Sequence, residues 1–231
     1  MELKKLSENI WICNGEAVPF FTLPYTTRMT VIRLANNELF IHSPIKTDPE
    51  LISQVSKLGT VKFLVSPNKI HHLFLQDWAK IFPDAKVYAS PGLREKRKDI
   101  DFTADLKDSP ESEWQDEIDQ LIFKGSKAMQ EVVFFHKASK TLILTDLIEN
   151  FDENYFSGFK GLIARLSGIV APNGKTPIDW RLSFFFGKKQ ARECFEKILA
   201  WQPEKIIVAH GKNIEADAIG SLKKSFKWLT K

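Results

Sequence analysis

The sequence predicts a mixed α/β (α+β) fold. The predicted architecture is a four-layer αββα sandwich, in which two mixed sheets pack face to face between outer helices. Short runs rich in β-branched and aromatic residues, typical of strands, recur along the chain. Segments with one apolar helical face lie between several of these runs. Strands come first, then strand–helix pairs, then more strands and a last strand–helix pair. That order suits two packed sheets better than one doubly wound parallel sheet.

The first half of the chain begins with strands and continues with strand–helix pairs. The Asn36-Asn37 pair predicts a tight turn between two strands of a hairpin. Asp48 is a helix cap, because Pro49 follows it at the first helical position. In order, the predicted elements are strands in NIWICN, TTRMTVIRL and ELFIHSP, a helix to Lys57, a strand in TVKFLVS, a helix through Leu73 to Ile81, and a strand in AKVYAS. The charge-rich residues 94–117 are predicted to be a helical turn and a loop.

The second half continues with strands in EIDQLIF, EVVFFHK and KTLILTD, a helical or loop region over 154–170, a loop in APNGKTPIDW, a helix from Lys188 to Ala200, a strand in EKIIVAHG and an amphipathic helix from Ile214 to Leu229. His136 precedes a hairpin turn and is predicted at the surface. The aromatic run Trp180 to Phe186 is predicted to pack in the core rather than form an interface. Because no segment resembles a linker, residues 1–231 are predicted to form one domain.

Composition narrows the function classes. The chain has 33 basic and 29 acidic residues, and the resulting charge of +4 is dispersed, so no nucleic-acid partner is expected. Cys13 and Cys194 are far apart and lie in apolar surroundings, which favours reduced core thiols. The start of the chain lacks a signal-peptide core, and no run approaches the ~18–20 apolar residues of a membrane span. A cytoplasmic protein without a membrane partner is therefore expected.

Three strand ends carry residues that bind metals. His71 and His72 follow the strand in VKFLVS, Asp146 ends TLILTD, and His210 ends IIVAH. Strand ends at one edge of an α/β sheet converge, so residues far apart in sequence share a pocket there. Histidine and aspartate are common ligands of zinc. The pattern therefore indicates a metal-hydrolase scaffold.

On these signals the chain resembles the metallo-β-lactamase-fold superfamily over nearly its whole length, from the strand ending at His42 to His210. Its members carry an H-x-H-x-D-H motif after an early strand, a histidine in a later G-H-T-type turn, an aspartate ending a middle strand and a histidine ending a late strand. Together these residues bind one or two metal ions, usually zinc, that activate water. Four segments further resemble a branch described only as a domain of unknown function: HSP at 42–44, PNKIHH at 67–72, FPDAKVYASPGL at 82–93 and IIVAHG at 206–211.

The resemblance implies a reduced metal site. Pro67 and Lys69 stand where the first two histidines of the motif would be, and His71 stands where the aspartate would be. The later turn histidine would fall near Lys127, where the chain has none. One metal position has therefore lost its histidines.

The other metal position keeps three residues that match the motif, and His71 is either a fourth ligand or a residue that orients a ligand. The matching residues are His72, Asp146 and His210. The implied cofactor is one zinc or iron ion. The alternative is a metal-free polar network that remains from an ancestral site.

Three further residues are candidates for the substrate pocket. His42 ends a strand at the presumed site edge, Lys69 replaces a ligand histidine with an ammonium group, and Arg181 lies in a loop near the pocket mouth. The resemblance implies a mononuclear metal-dependent hydrolase of a small ester, lactone or thioester. The alternative is a non-catalytic or regulatory binding protein that retains the fold.

Overall fold

The strands and helices alternate along the chain in the mixed α/β pattern that the sequence predicts. The computed structural model describes residues 1–20 and 23–230. The chain divides into two compact units, Met1–Leu106 and Lys107–Lys231. Among the described residues, no helix is long and apolar enough to cross a membrane.

The first unit contains a mixed sheet whose described strands lie in sequence order from β1 to β7. Its elements are β1 (Leu3–Ser7), β2 (Ile10–Phe20), β3 (Leu23–Arg33), β4 (Glu38–His42), α1 (Pro49–Ser56), β5 (Thr60–Val65), α2 (Leu75–Ile81), β6 (Lys86–Ala89), α3 (Leu93–Lys96) and β7 (Ala104–Asp105). Strands β1 to β4 are antiparallel, and β4 to β7 are parallel. The change of direction follows from the connections, since short turns at residues 8–9 and 34–37 join antiparallel strands, whereas helices lie between the parallel strands.

The second unit contains a smaller mixed sheet in the order β11, β10, β9, β8. Its elements are β8 (Ile118–Phe123), β9 (Glu131–His136), β10 (Thr141–Leu144), α4 (Gly158–Ser167), α5 (Ile178–Ser183), α6 (Lys188–Ala200), β11 (Lys205–Val208), α7 (Ala218–Ser225) and a 3₁₀ turn (Lys227–Leu229). Strands β8, β9 and β10 are antiparallel, and β10 and β11 are parallel.

The predicted helix after Asp48 is confirmed. The Asp48 carboxylate accepts a hydrogen bond from the Leu51 N–H (2.9 Å) and caps α1. Leu51 and Val55 are buried on its inner face. In the same unit the fully buried Trp78 of α2 donates its indole N–H to the carbonyl of Ile45 (2.7 Å). The core of the first unit is therefore both packed and anchored by hydrogen bonds.

Two predicted element boundaries were wrong. The loop predicted in APNGKTPIDW ends at Pro177, and α5 begins at the next residue. Proline is tolerated at the start of a helix because it has no backbone N–H to donate. The final helix does not start at Ile214, which instead exchanges two backbone hydrogen bonds with Ile206 (2.8 and 2.9 Å). Asp217 caps α7 by accepting from the Gly220 N–H (3.1 Å). The sequence also gave no indication of the short strands β1 and β7.

Two burial predictions were also wrong. His136 is 1% exposed, and its Nδ1 lies 2.7 Å from the Ser139 hydroxyl, so the hairpin turn covers the ring. Within the aromatic run, Trp180 and Phe184 pack in the core as predicted, but Phe186 is 86% exposed. Trp180 and Phe184 are four positions apart and therefore share one face of α5 and its C-terminal cap, whereas Phe186 lies beyond the helix.

Candidate metal centre

In the second unit the parallel register of β10 and β11 brings Asp146 and His210 together. Leu144 is paired with Val208, and each of the two candidate ligands lies two positions beyond the end of its strand. Both side chains are buried, and the Asp146 Oδ1 lies 3.0 Å from the His210 Nε2. The predicted convergence of these two strand ends is therefore observed within this unit.

Glu131, the first residue of β9, holds Asp146 in place. Its two carboxylate oxygens accept the backbone N–H groups of Thr145 and Asp146, each at 2.8 Å. Burial raises the pKa of Glu131, and the neighbouring Asp146 charge adds to the rise. Two carboxyl groups are thus buried close together, and a cation beside them would offset the cost of ionising both.

The chain around His210 is fixed by packing and by a glycine. The His210 ring stacks on Phe151, with centroids 6.0 Å apart and 13° between the planes. The His210 carbonyl accepts from the Asn150 N–H (3.0 Å). Gly211 has φ +92°, and a Cβ there would lie 2.1 Å from the Asn150 carbonyl oxygen. Only glycine allows this close approach.

In the first unit the segment that carries His71 is held by two buried polar side chains. The Asn68 Oδ1 accepts the N–H groups of Ile70 (3.0 Å) and His71 (3.1 Å). The Ser66 hydroxyl lies within donating distance of the Asn68 carbonyl (2.9 Å) and the His71 carbonyl (2.8 Å). These contacts explain the asparagine of the PNKIHH segment, since it forms the turn that precedes the histidines.

His71 is oriented by Ser43, which follows β4. The His71 Nδ1 lies 2.7 Å from the Ser43 hydroxyl, and Ser43 adopts φ 52°. If Nδ1 donates to this hydroxyl, the neutral ring carries its lone pair on Nε2, which is the tautomer of a histidine that binds a metal through Nε2. His42 is buried, and burial followed by the charge of His71 lowers its pKa to about 3, so its ring is neutral.

His72 contacts an arginine. Its Nδ1 lies 2.8 Å from the Arg97 Nη1. Because a guanidinium group only donates, Nδ1 must accept, and the proton of the neutral ring is on Nε2. Burial, with the charges of Lys96 and Arg97, lowers the pKa of His72 to about 4. In this state neither nitrogen of His72 offers a lone pair to a metal.

The other two predicted pocket residues lie in different units. The carbonyl of Lys69 accepts from the Lys96 ammonium (2.8 Å), and its half-buried side chain passes Gly92 in the first unit. Arg181 belongs to α5, not to a loop, and donates from Nη2 to the Ser167 carbonyl (3.1 Å). It lines a cavity of about 830 Å³ in the second unit. The substrate role of His42, Lys69 and Arg181 remains a prediction.

Asp146 and His210 fit a metal by donor chemistry and spacing. A carboxylate oxygen and an imidazole nitrogen are ligands of zinc and of non-haem iron. Two ligands bound at about 2.0–2.2 Å to one ion lie roughly 3 Å apart, close to the observed separation. The buried negative charge of Glu131 and Asp146 adds an electrostatic reason for a cation.

The sequence matches the model of one family. The model, described as Domain of unknown function (DUF4336), matches residues 7–158, well over half of the chain. A search of curated proteins finds no match. The match covers His42, His71, His72 and Asp146 and ends before His210.

Solved structures resemble the chain over almost all of its length. The DIM-1 metallo-β-lactamase has a TM-score of 0.68 and 15% identity, covering 99% of this chain and 96% of that one. FIM-1 from Pseudomonas aeruginosa, a metallo-β-lactamase in its mono-zinc form, has a TM-score of 0.63 and 8% identity, covering 99% and 94%. Rubredoxin oxygen:oxidoreductase from Desulfovibrio gigas has a TM-score of 0.69 and 11% identity, covering 99% and 62%. The predicted metallo-β-lactamase-like α/β fold class is thereby confirmed.

Proposed function

We propose that this chain, which belongs to the DUF4336 family and has the metallo-β-lactamase fold, is a mononuclear metal-dependent hydrolase of a small ester, lactone or thioester. The carrying observation is the buried Asp146–His210 pair, with donor atoms 3.0 Å apart, at the ends of two parallel strands. Structural neighbours are named as metallo-β-lactamases, and one of them is in a mono-zinc form. These likenesses support the fold directly and the metal chemistry by analogy.

From the resemblance to the superfamily motif, the proposed ligands are His71, Asp146 and His210, residue types that form three-ligand zinc sites. We choose His71 over its neighbour because donation from its Nδ1 to Ser43 would place the ring lone pair on Nε2, the tautomer of a ligating histidine, whereas Arg97 occupies the Nδ1 of His72. His72 is therefore left out of the proposed set, although the sequence motif favours it. A single site also agrees with the absence of histidine at positions 67, 69 and 127 of the sequence.

In the proposed hydrolysis, different residues would bind the metal and orient its ligands. When bound, a zinc or iron ion supplies Lewis acidity that allows hydrolysis near neutral pH. Asp146 and His210 would bind the ion, Glu131 fixes Asp146 through two backbone groups, and Ser43 sets the ring orientation of His71. Three protein ligands leave a coordination position for water or substrate, as catalytic sites require.

The two adjacent histidines provide a matched pair of variants for the test. The metal-free chain is titrated with Zn²⁺ and with Fe²⁺, and the bound equivalents are measured for wild type, His71→Ala, His72→Ala and His210→Ala. We expect about one equivalent for wild type and His72→Ala, and at least a 10-fold weaker affinity for the other two, since each loses a ligand. Two equivalents, or equal weakening by both His71→Ala and His72→Ala, would contradict the proposed ligand set.

Catalysis is measured on the same proteins with an aryl acetate, a γ-lactone and an acyl thioester. Metal-dependent turnover that is lost in His210→Ala supports the hydrolase. Stoichiometric metal with no turnover on any of the three would favour the non-catalytic binding protein. That alternative is supported by Pro67 and Lys69, which stand at positions where the superfamily motif has histidines.

A further inference from the structure

The second unit contains a cavity of about 830 Å³ whose lining residues do not include Asp146 or His210. Its wall comes from α4, from the segment that joins α4 to α5, from α5, and from the end of α7 with the following 3₁₀ turn. Its volume lies within the roughly 300–1,000 Å³ of small-molecule sites. The cavity is large enough for a ligand of nucleotide size.

The lining of the cavity is strongly basic. Five cationic side chains face a single carboxylate, that of Glu153: they are Arg165, Lys175, Arg181, Lys224 and Lys227. The net charge of this lining at neutral pH is therefore +4, from five positive charges and one negative charge. None of the five cations forms an ion pair with a carboxylate among the described residues.

The cations act on one another. Burial, followed by the charges of Arg181 and Lys224, lowers the pKa of Lys175. Burial also lowers the pKa of Arg181. Like charges held together in a partly dehydrated wall repel each other, and a bound anion would relieve that repulsion.

Two N–H donors of the wall are buried without an acceptor in the described part of the chain: the Arg181 Nε and the Trp228 Nε1. The surrounding wall is held in place. The Arg181 Nη2 is fixed on the Ser167 carbonyl (3.1 Å), and Ser225 donates to the Gly174 carbonyl (2.6 Å). Trp228 packs on Phe184, with ring centroids 5.2 Å apart. Buried donors in a rigid wall are costly unless a ligand accepts from them.

We propose that this cavity binds a small phosphorylated compound that carries two or more negative charges, with Arg165 and Arg181 engaging phosphate oxygens and Trp228 contacting the organic part. Guanidinium groups match phosphate through paired N–H donors, and lysines add point charges. A monovalent carboxylate would neutralise only a quarter of the excess charge. This assignment does not depend on the proposed metal chemistry, because the cavity and the metal pair have separate residues.

The same chemistry is available in a free phosphate ester and in a phospholipid headgroup. The lipid source is included because Arg165 lies on α4, which also exposes Phe159 (76%) and Leu166 (71%) to solvent. Exposed apolar side chains beside basic groups are typical of helices that lie at a membrane surface. The two sources are separated by the form in which the phosphate is offered.

Binding of pyrophosphate, ADP and AMP to the full chain is measured by titration calorimetry. Binding to phosphatidylcholine vesicles, with and without phosphatidylinositol 4-phosphate, is measured by sedimentation. The cavity variant is Lys175→Gln/Lys224→Gln. The matched control is Lys189→Gln/Lys197→Gln, which removes two exposed lysines of α6 that do not line the cavity. Melting temperatures verify that both variants are folded.

We expect saturable binding of pyrophosphate and ADP, tighter than that of AMP, with at least a 10-fold loss in the cavity variant and none in the control. Binding only to the phosphoinositide vesicles, with the same pattern among variants, supports the lipid headgroup. The absence of saturable binding to any probe would overturn the assignment. Equal losses of affinity in both double variants would also overturn it, because they would show only a general attraction of anions to the basic surface.

Discussion

The contact between Glu131 and the Thr145–Asp146 backbone gives a prediction whose size can be worked from the structure. Glu131→Ala would leave two buried N–H groups without their acceptors at 2.8 Å. An unsatisfied buried donor costs roughly 1–3 kcal/mol, so the pair costs about 2–6 kcal/mol. The lost Cγ methylene adds ~0.8 kcal/mol. Relief of the buried charge, whose desolvation raises the pKa of Glu131, offsets part of this loss.

We therefore expect Glu131→Ala to lower the free energy of unfolding by about 3 kcal/mol or more. Glu131→Gln retains the shape and one acceptor, so it should lose less than half of that amount. The measurement is urea unfolding, followed by tryptophan fluorescence, of protein kept metal-free with a chelator. Removing metal matters because ligand binding to the native state would add its own stabilisation.

The control is Glu204→Ala, which removes an exposed glutamate paired with Lys140 at 2.7 Å. Exposed pairs contribute little, and the expected change is no more than ~1 kcal/mol. The reasoning would be refuted if the free energy of unfolding of Glu131→Ala lay within ~1 kcal/mol of the wild-type value, or were no lower than that of Glu204→Ala. Either result would show that the two backbone contacts do not hold the Asp146 turn.

Two further predictions concern buried side chains in the cores. Burial raises the pKa of Cys13 to about 11 and that of Cys194 above its usual range, so a disulfide reagent at pH 8 should label neither thiol until urea unfolds the chain. The folded-state pKa of Cys13 lies above its unfolded value, so the protonated, buried thiol stabilises the native state fully below about pH 9, and this stabilisation declines as the pH rises towards 11. Fast labelling of the native protein at pH 8 would contradict the burial of these thiols. Trp78→Phe keeps a ring but leaves the Ile45 carbonyl without its 2.7 Å donor, which should lower the free energy of unfolding by about 1–3 kcal/mol, whereas an unchanged urea midpoint would exclude that contribution.

Much of the fold could be predicted because local patterns and packing agree. The cap at Asp48 and most of the strands were identified from turn chemistry and from runs of β-branched residues. Asp146 and His210 could be paired in advance, since each directly follows an apolar run and parallel strands end at a common edge. These features depend on short stretches of sequence or on a general rule of topology.

The supporting residues could not be predicted, because their partners lie far away in sequence. Glu131 begins a strand and has the local appearance of an exposed strand end, yet it is fully buried against Thr145. Arg97 lies in a charge-rich segment that reads as solvated surface, but it sets the tautomer of His72. Only tertiary contacts distinguish such residues from ordinary surface charges.

The choice between the adjacent histidines has a consequence for the charge of the proposed site. The superfamily motif has an aspartate where this chain has His71, so the proposed ligand set exchanges a carboxylate for a neutral ring. Asp146 is then the one carboxylate among three ligands, and a divalent ion would keep a net positive charge there. A less neutralised ion is the stronger Lewis acid and attracts an anionic or strongly polarised substrate group. Restoring the motif with His71→Asp should therefore weaken the activation of the substrate carbonyl even where metal still binds, because the added carboxylate neutralises that charge.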